Sequence, residues 1–366
     1  MSLALGIVGL PNAGKSTLFN ALTQAGAAVA PYPFTTIAPN LGQTAVPDDR
    51  LAAIAAVMHP ERVVPAAVRF VDIAGLVRGA SRGEGLGNRF LAHIREVDAV
   101  VHVVRCFAAG DVAHPEGTVD PVRDAGVVET ELALADLEAV ERAMERAAPR
   151  ARAGERAARE QLAALEELAT VVGRGEPLRR ATLSEAARVQ AAQLRLLTLK
   201  PVLYVANVDE AALPDGGPHA AALATLAQRD GAECLVLCAR LEAELRELPE
   251  ADARAYLASL GVAEPGLPRL VRAGFALLDL VSFFTVLSRE VRAWPVRRGT
   301  TAVDAAARIH TDMARGFVRA EVIPWDVLVA AGGLQAARER GVVRLEGREY
   351  LVQDGDVITF RFAVSA

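Results

Sequence analysis

The chain has 366 residues, 52% of them hydrophobic and 23% charged, which predicts two or three globular domains and excludes a fibrous repeat or a disordered tail. Its net charge of −5 excludes a uniformly basic nucleic-acid coat but leaves room for a local basic patch. Three cysteines (Cys106, Cys234, Cys238) are too few for a disulfide framework, and no continuous apolar run reaches ~18 residues, so a cytoplasmic protein without membrane contact is expected.

The first apolar run, Leu3–Val8, leads into Gly9-Leu10-Pro11-Asn12-Ala13-Gly14-Lys15-Ser16, followed by a helix-like stretch from Thr17 to Gln24. This is G-x-x-x-x-G-K-[ST] in its strand–loop–helix setting. Glycines let the backbone curl until its N–H groups face phosphate oxygens, and the helix N-terminus adds positive potential. Asn12, Ala13, Gly14, Lys15, Ser16 and Thr17 are the expected phosphate-binding set, with Lys15 on the β- and γ-phosphates and Ser16 on Mg²⁺. Only two of the 40 basic residues are lysines, Lys15 and Lys200, so a lysine at this position carries extra weight.

Tyr32-Pro33-Phe34-Thr35-Thr36 offers a loop threonine to the same metal, and Thr36 is the favoured one. The run Val68–Asp72 ends in Asp72-Ile73-Ala74-Gly75, a D-x-x-G pattern. There Asp72 would hold Mg²⁺ through water and the Gly75 amide would sense the γ-phosphate. Glycine-dense Arg78–Gly87 follows, as an order–disorder switch requires. A third run, Ala99–Val104, completes the first half of a parallel sheet.

Residues 126–199 read as a helical insertion. Ala133, Leu137, Val140 and Met144, then Leu162, Leu165, Ala169 and Val172, recur near heptad spacing. Gly173–Pro177 stops the first arm, which Pro149 and Gly154 interrupt, and Thr182-Leu183-Ser184-Glu185 reads as a capping box for an antiparallel return helix.

The sheet resumes at Val202–Ala206 and Cys234–Leu237. The fourth run ends in Asn207-Val208-Asp209-Glu210, where a guanine-reading protein carries N-K-x-D. A glutamate in the fourth position displaces the carboxylate that would pair with guanine N1–H and the 2-amino group, at ~1.5–3 kcal/mol per lost charge-assisted bond. The base preference therefore shifts toward adenine. Cys238–Glu242 stands where the second base-contact loop belongs.

From 283 to 366 the pattern changes to a small α+β module. Strands are expected at Val291–Val296, Phe317–Ile323, Glu349–Val352 and Val357–Phe362, with a helix from a Thr301 cap to about Ala314, a stop at Gly316 and a turn at Asp354-Gly355. Its net charge of +2 makes it the only net-basic part of the chain.

Taken together, these stretches resemble the Obg-like ATPases, or YchF family, a translation-related branch of the P-loop NTPases, over essentially the whole chain. The resemblance implies an α/β fold with a P-loop nucleotide-binding domain at 1–125 and 200–282, a helical coiled-coil insertion at 126–199 and a C-terminal β-grasp (TGS) domain at 283–366. It also implies hydrolysis of ATP in preference to GTP and ribosome binding (large subunit or whole ribosome), with RNA contact through the TGS domain as a further option. Leu76, directly after D-x-x-G, cannot orient water, and the family's candidate in its place maps to His114. In related P-loops an asparagine at the position of Asn12 helps ligate K⁺. Phe107 by packing and Val208 through its backbone are candidates to contact adenine. Arg78, Arg82, Arg89 and Arg95, with Arg289, Arg292, Arg297 and Arg298, are candidates for a ribosome-facing patch. A GTPase of the same fold, and a ribosome-binding module with negligible turnover, are the alternatives.

Overall fold

A computed structural model describes residues 3–27, 41–73, 86–108, 114–287 and 289–363, the side chains of 24–27 and 86–89 excepted. In chain order the elements begin with β1 (Ala4–Val8), α1 (Lys15–Ala27), β2 (Leu41–Ala45), α2 (Asp49–Met58), β3 (Arg62–Val64), β4 (Ala67–Asp72), α3 (Leu86–Glu96) and β5 (Ala99–Arg105). A helical stretch follows: α4 (Pro121–Arg152), α5 (Arg156–Gly173) and α6 (Glu185–Gln193). Next come β6 (Val202–Asn207), α7 (Gly217–Arg229), β7 (Cys234–Leu237), α8 (Ala239–Glu244), α9 (Glu250–Ser259) and α10 (Gly266–Leu277). The chain closes with β8 (Leu280–Val286), β9 (Glu290–Arg297), α11 (Ala302–Ile309), α12 (Thr311–Arg315), β10 (Phe317–Pro324), α13 (Trp325–Ala331), α14 (Leu334–Glu339), β11 (Arg344–Glu346) and β12 (Asp356–Phe362).

The chain divides into two compact units, the first made of Met1–Gln24, Thr36–Gly42 and Arg69–Leu270, the second of Ala25–Thr35, Gln43–Val68 and Val271–Ala366. This division differs from the one read from sequence: the helices of 126–199 belong to the first unit, and 43–68 goes with the C-terminal module.

One six-stranded sheet has its strands in the order β2-β4-β1-β5-β6-β7. The pairs β4–β1, β1–β5, β5–β6 and β6–β7 are all parallel. Strands β1, β5 and β6 are buried along their whole length, which is why they read as unbroken apolar runs.

Helices α4 and α5 form the antiparallel pair. The reversal lies at Ala153-Gly154-Glu155, where Gly154 takes φ +96°, so Gly154 turns the chain rather than interrupting one arm. Ala133, Val140, Leu165 and Val172 are buried in the core between these helices, with Leu137, Met144, Leu162 and Ala169 packed against it. Helix α6 is short, and its cap is Ser184 rather than Thr182: the Ser184 hydroxyl accepts from the Ala187 N–H at 3.2 Å. Ser184 is itself tied to Glu167 of α5, through its N–H at 2.8 Å and its hydroxyl at 2.6 Å, and that tertiary contact selects it over the local pattern.

One polar cluster joins this helical pair to the sheet. Arg179 pairs with Glu129 of α4 at 2.6 Å and with Asp230, just past α7, at 3.0 Å. Arg180 also pairs with Asp230. The Tyr204 hydroxyl, from β6, donates to Asp230 at 2.7 Å.

The second unit is a mixed six-stranded sheet in the order β11-β10-β12-β8-β9-β3. Phe283, Ala320, Val322, Ile358 and Phe360 line one face under α11. The Thr301 cap forms as expected, its hydroxyl accepting from the Asp304 N–H at 3.3 Å, but the helix breaks at His310. Residues 349–352 are not a strand: Leu351 makes a single bridge to Thr301. Strand β8, helices α13 and α14, and β3 of this sheet had no expectation in the sequence reading.

Candidate nucleotide-binding site

Strand β1 feeds the loop 9–14 and α1 leaves it at Lys15. Gly9 (φ +152°), Asn12 (φ +64°) and Gly14 (φ +93°) occupy backbone regions that most side chains avoid. A Cβ on Gly9 would meet the Val103 carbonyl oxygen at 2.2 Å, and one on Gly14 would meet Asn207 Nδ2 at 2.2 Å, so both positions require glycine.

Lys15 is buried, and its ammonium donates to the Leu10 carbonyl at 2.8 Å. Burial lowers its pKa from the ordinary lysine value, and the charge of Asp72 works in the opposite direction. Parallel pairing aligns Asp72, at the end of β4, with Ile7 of β1. The Ser16 hydroxyl donates to Asp72 Oδ2 at 3.2 Å. Two hard oxygen donors from separate elements thus converge at the start of α1, a donor set suited to a divalent cation that completes its shell with water and phosphate.

Asn207, the last residue of β6, is buried and bonded twice. Its Nδ2 donates to the Ala13 carbonyl at 2.9 Å, and its Oδ1 accepts from the Ala239 N–H at 2.9 Å. One carboxamide therefore joins the phosphate loop to the start of α8. Asp209 accepts from the Ala108 N–H at 3.1 Å, and Glu210 accepts from the Tyr256 hydroxyl. Val208 is buried with its N–H committed to the Leu237 carbonyl, leaving only its carbonyl for a base. The Phe107 ring carries the Arg105 guanidinium 4.6 Å from its centroid, so one face is already covered. Thr17 is exposed at the start of α1.

His114 is buried against the phosphate loop and shares a small recess with Leu10, Pro11, Ala13, His102, Arg105 and Asp124. Its Nδ1 accepts from the Glu116 N–H at 3.1 Å, and its Nε2 lies 2.7 Å from Asp124 Oδ2. An amide N–H can only donate, so the ring proton of the neutral imidazole resides on Nε2 and points at Asp124. Burial drives the neighbouring His102 down to about 3.

Lys15, Ser16, Asp72, Ala13, Gly14 and Asn207 therefore come together, and His114 borders the same loop. Thr36, Gly75, Leu76, Arg78 and Arg82 lie outside the described residues, as does the side chain of Arg89. Sequence reasoning missed Asp124 and Tyr256. No motif marks either, and they reach their partners across 10 and 46 residues. Cys106, which adjoins the base loop, is buried and its thiol is pushed up to about 12, which makes it a poor thiolate at neutral pH.

Residues 4–145 match a family model described as a 50S ribosome-binding GTPase, and residues 280–363 match one described as the YchF-GTPase C-terminal region, a protein of unknown function. The chain is 50% identical to the ribosome-binding ATPase YchF of Haemophilus ducreyi and 48% identical to that of Bacillus subtilis, with all of each chain covered. Among solved structures it is similar to the Schizosaccharomyces pombe YchF GTPase, with a TM-score of 0.87, 33% identity and 98% of both chains covered. Among the described residues no helix is long and apolar enough to cross a membrane.

Proposed function

The chain belongs to the YchF family of ribosome-binding ATPases, and from that premise we propose a Mg²⁺-dependent hydrolase that converts ATP to ADP and phosphate and docks on ribosomes according to its nucleotide state. The observation that supports this most is the convergence of Lys15, the Ser16–Asp72 pair and Asn207 on one glycine-shaped loop.

The loop N–H groups and Lys15 bind the phosphates, Lys15 exchanging the Leu10 carbonyl for phosphate oxygens. Ser16 and Asp72, with Thr36, would hold Mg²⁺, which would neutralise phosphate charge. A water oxygen bonds to the γ-phosphorus while the bond to the β–γ bridging oxygen breaks, leaving its electrons on ADP; the water's proton passes to the released phosphate. Little covalent chemistry falls to the protein, so orientation and charge carry the rate. His114 orients the water, and Asn12 contributes to a K⁺ site. Adenine is preferred because the base-loop carboxylates are drawn to partners in the protein: Asp209 accepts from the Ala108 N–H and Glu210 from the Tyr256 hydroxyl.

Competitive equilibrium binding of ATP and GTP with Mg²⁺ tests the base preference, and tighter ATP is expected. Equal or tighter GTP makes the protein a GTPase of the same fold. Turnover measured with and without ribosomes, in K⁺ and in Na⁺, tests hydrolysis; no turnover under any of these conditions leaves only a nucleotide-stabilised ribosome-binding module.

A further inference from the structure

We propose that Asp124 is the positioning residue for His114, fixing the tautomer and direction in which its imidazole meets water at the phosphate loop. This rests on reading His114 as the water-orienting residue.

Asp124 lies in the first turn of α4, whose cap is Asp120. Its carboxylate has both oxygens engaged. Oδ1 accepts from Arg123 at 2.9 and 3.1 Å, and Oδ2 takes the Nε2 proton of His114 at 2.7 Å. A carboxylate held at both oxygens has one orientation and transmits it to the ring. Both side chains are about 95% buried, so the pair is shielded from competing water. The consequence falls on the other nitrogen: with the proton on Nε2, Nδ1 keeps a lone pair. That lone pair now accepts the Glu116 N–H, a bond within its own turn that a water O–H can replace without moving Asp124. The recess floor of Leu10, Pro11 and Ala13 places this dyad beside the loop that holds the phosphates.

The opposite tautomer is unproductive. In Asp124→Asn, the carboxamide oxygen stays on Arg123 and the NH₂ group donates to Nε2. The ring proton moves to Nδ1, which then faces the Glu116 N–H and cannot accept from water. The ionisable groups around the ring are Glu116 in its own turn, Asp120, Arg123 and Asp124 at the start of α4, His102 and Arg105 from β5, and Lys15 beyond Leu10. Burial holds the neighbouring His102 well below the usual histidine value.

Steady-state ATP hydrolysis by Asp124→Asn, His114→Ala and the double variant, with ribosomes, tests the proposal. Asp124→Asn is expected to lower kcat ~10- to 100-fold, leave the ATP KM within about twofold and add nothing in the His114→Ala background. Wild-type turnover in His114→Ala overturns the role of His114 itself. A slow His114→Ala with a normal Asp124→Asn, or losses that multiply in the double variant, overturns the proposal alone and leaves Asp124 as an anchor of the loop. Should Asp124→Asn fail to fold, ¹⁵N shifts of the wild-type imidazoles decide: His114 must show the Nε2–H tautomer, and an Nδ1–H tautomer overturns the proposal.

Discussion

Asn207 Nδ2 donates to the carbonyl of Ala13 at 2.9 Å, so the last residue of β6 is tied directly to the phosphate loop. In Asn207→Ala the Ala13 carbonyl and the Ala239 N–H are both left buried and unpaired. At ~1–3 kcal/mol per orphaned group, a stability loss of roughly 2–6 kcal/mol is expected in urea titrations. Because the lost contacts hold the backbone of both loops rather than reading the base itself, ATP and GTP affinities should fall by similar factors. A loss confined to one nucleotide would make Asn207 a base reader.

Lys15 separates binding from folding. Its ammonium is buried with a carbonyl as its hydrogen-bond partner, an arrangement that contributes little to the nucleotide-free fold. Lys15→Met keeps the aliphatic stem. Its unfolding midpoint without nucleotide should equal or exceed that of the wild type, while ATP affinity measured by calorimetry drops ~100-fold or more.

Tyr256 draws Glu210 aside. In Tyr256→Phe the carboxylate regains its freedom, and GTP affinity should rise relative to ATP, by ~3- to 10-fold in competition binding, at the net strength of one ordinary hydrogen bond. An unchanged ratio would show that Glu210 plays no part in choosing the base.

His102 makes stability depend on pH. Burial takes it from 6.5 to about 3 in the folded chain, so below pH 6.5 the unfolded chain binds a proton that the folded chain refuses. Stability is therefore full above about pH 6.5 and lost as pH falls toward 3, by about 1.4 kcal/mol per unit. Urea midpoints between pH 7 and 4 should fall less steeply in His102→Phe. Parallel slopes for the two proteins would exclude His102 as the cause.

The phosphate loop and the parallel sheet were legible because their signals are local. Gly9 and Gly14 fall within one eight-residue pattern, although the atoms that exclude a side chain there, the Val103 carbonyl and Asn207 Nδ2, come from β5 and β6; β1, β5 and β6 are buried along their length, which writes them as apolar runs. The helical insertion was half legible. Its apolar stripe identified the core between α4 and α5, but Pro149 and Gly154 read alike as interruptions until tertiary packing made Gly154 the turn. The capping residue went to Ser184 because Glu167, distant in sequence, binds it. At the site, Lys15, Ser16, Asp72 and Asn207 sit in motifs, whereas Asp124 and Tyr256 act through partners that only folding supplies. The C-terminal module hid α13 and α14 because such short helices carry weak periodicity, and β8 because the expected boundary at 282/283 cut through an otherwise apolar, mostly buried run.

Strand β6 has two attachments. Tyr204 near its beginning is bound through Asp230 to Arg179 and the helical pair, and Asn207 at its end is bound to the phosphate loop. Three residues of strand, ~10 Å, separate them. A mechanical load applied at the far end of α4 and α5 has, through the first of these anchors, a covalent, extended route to the second. The helical pair is thus mounted as a handle on the same short rod that carries the phosphate grip.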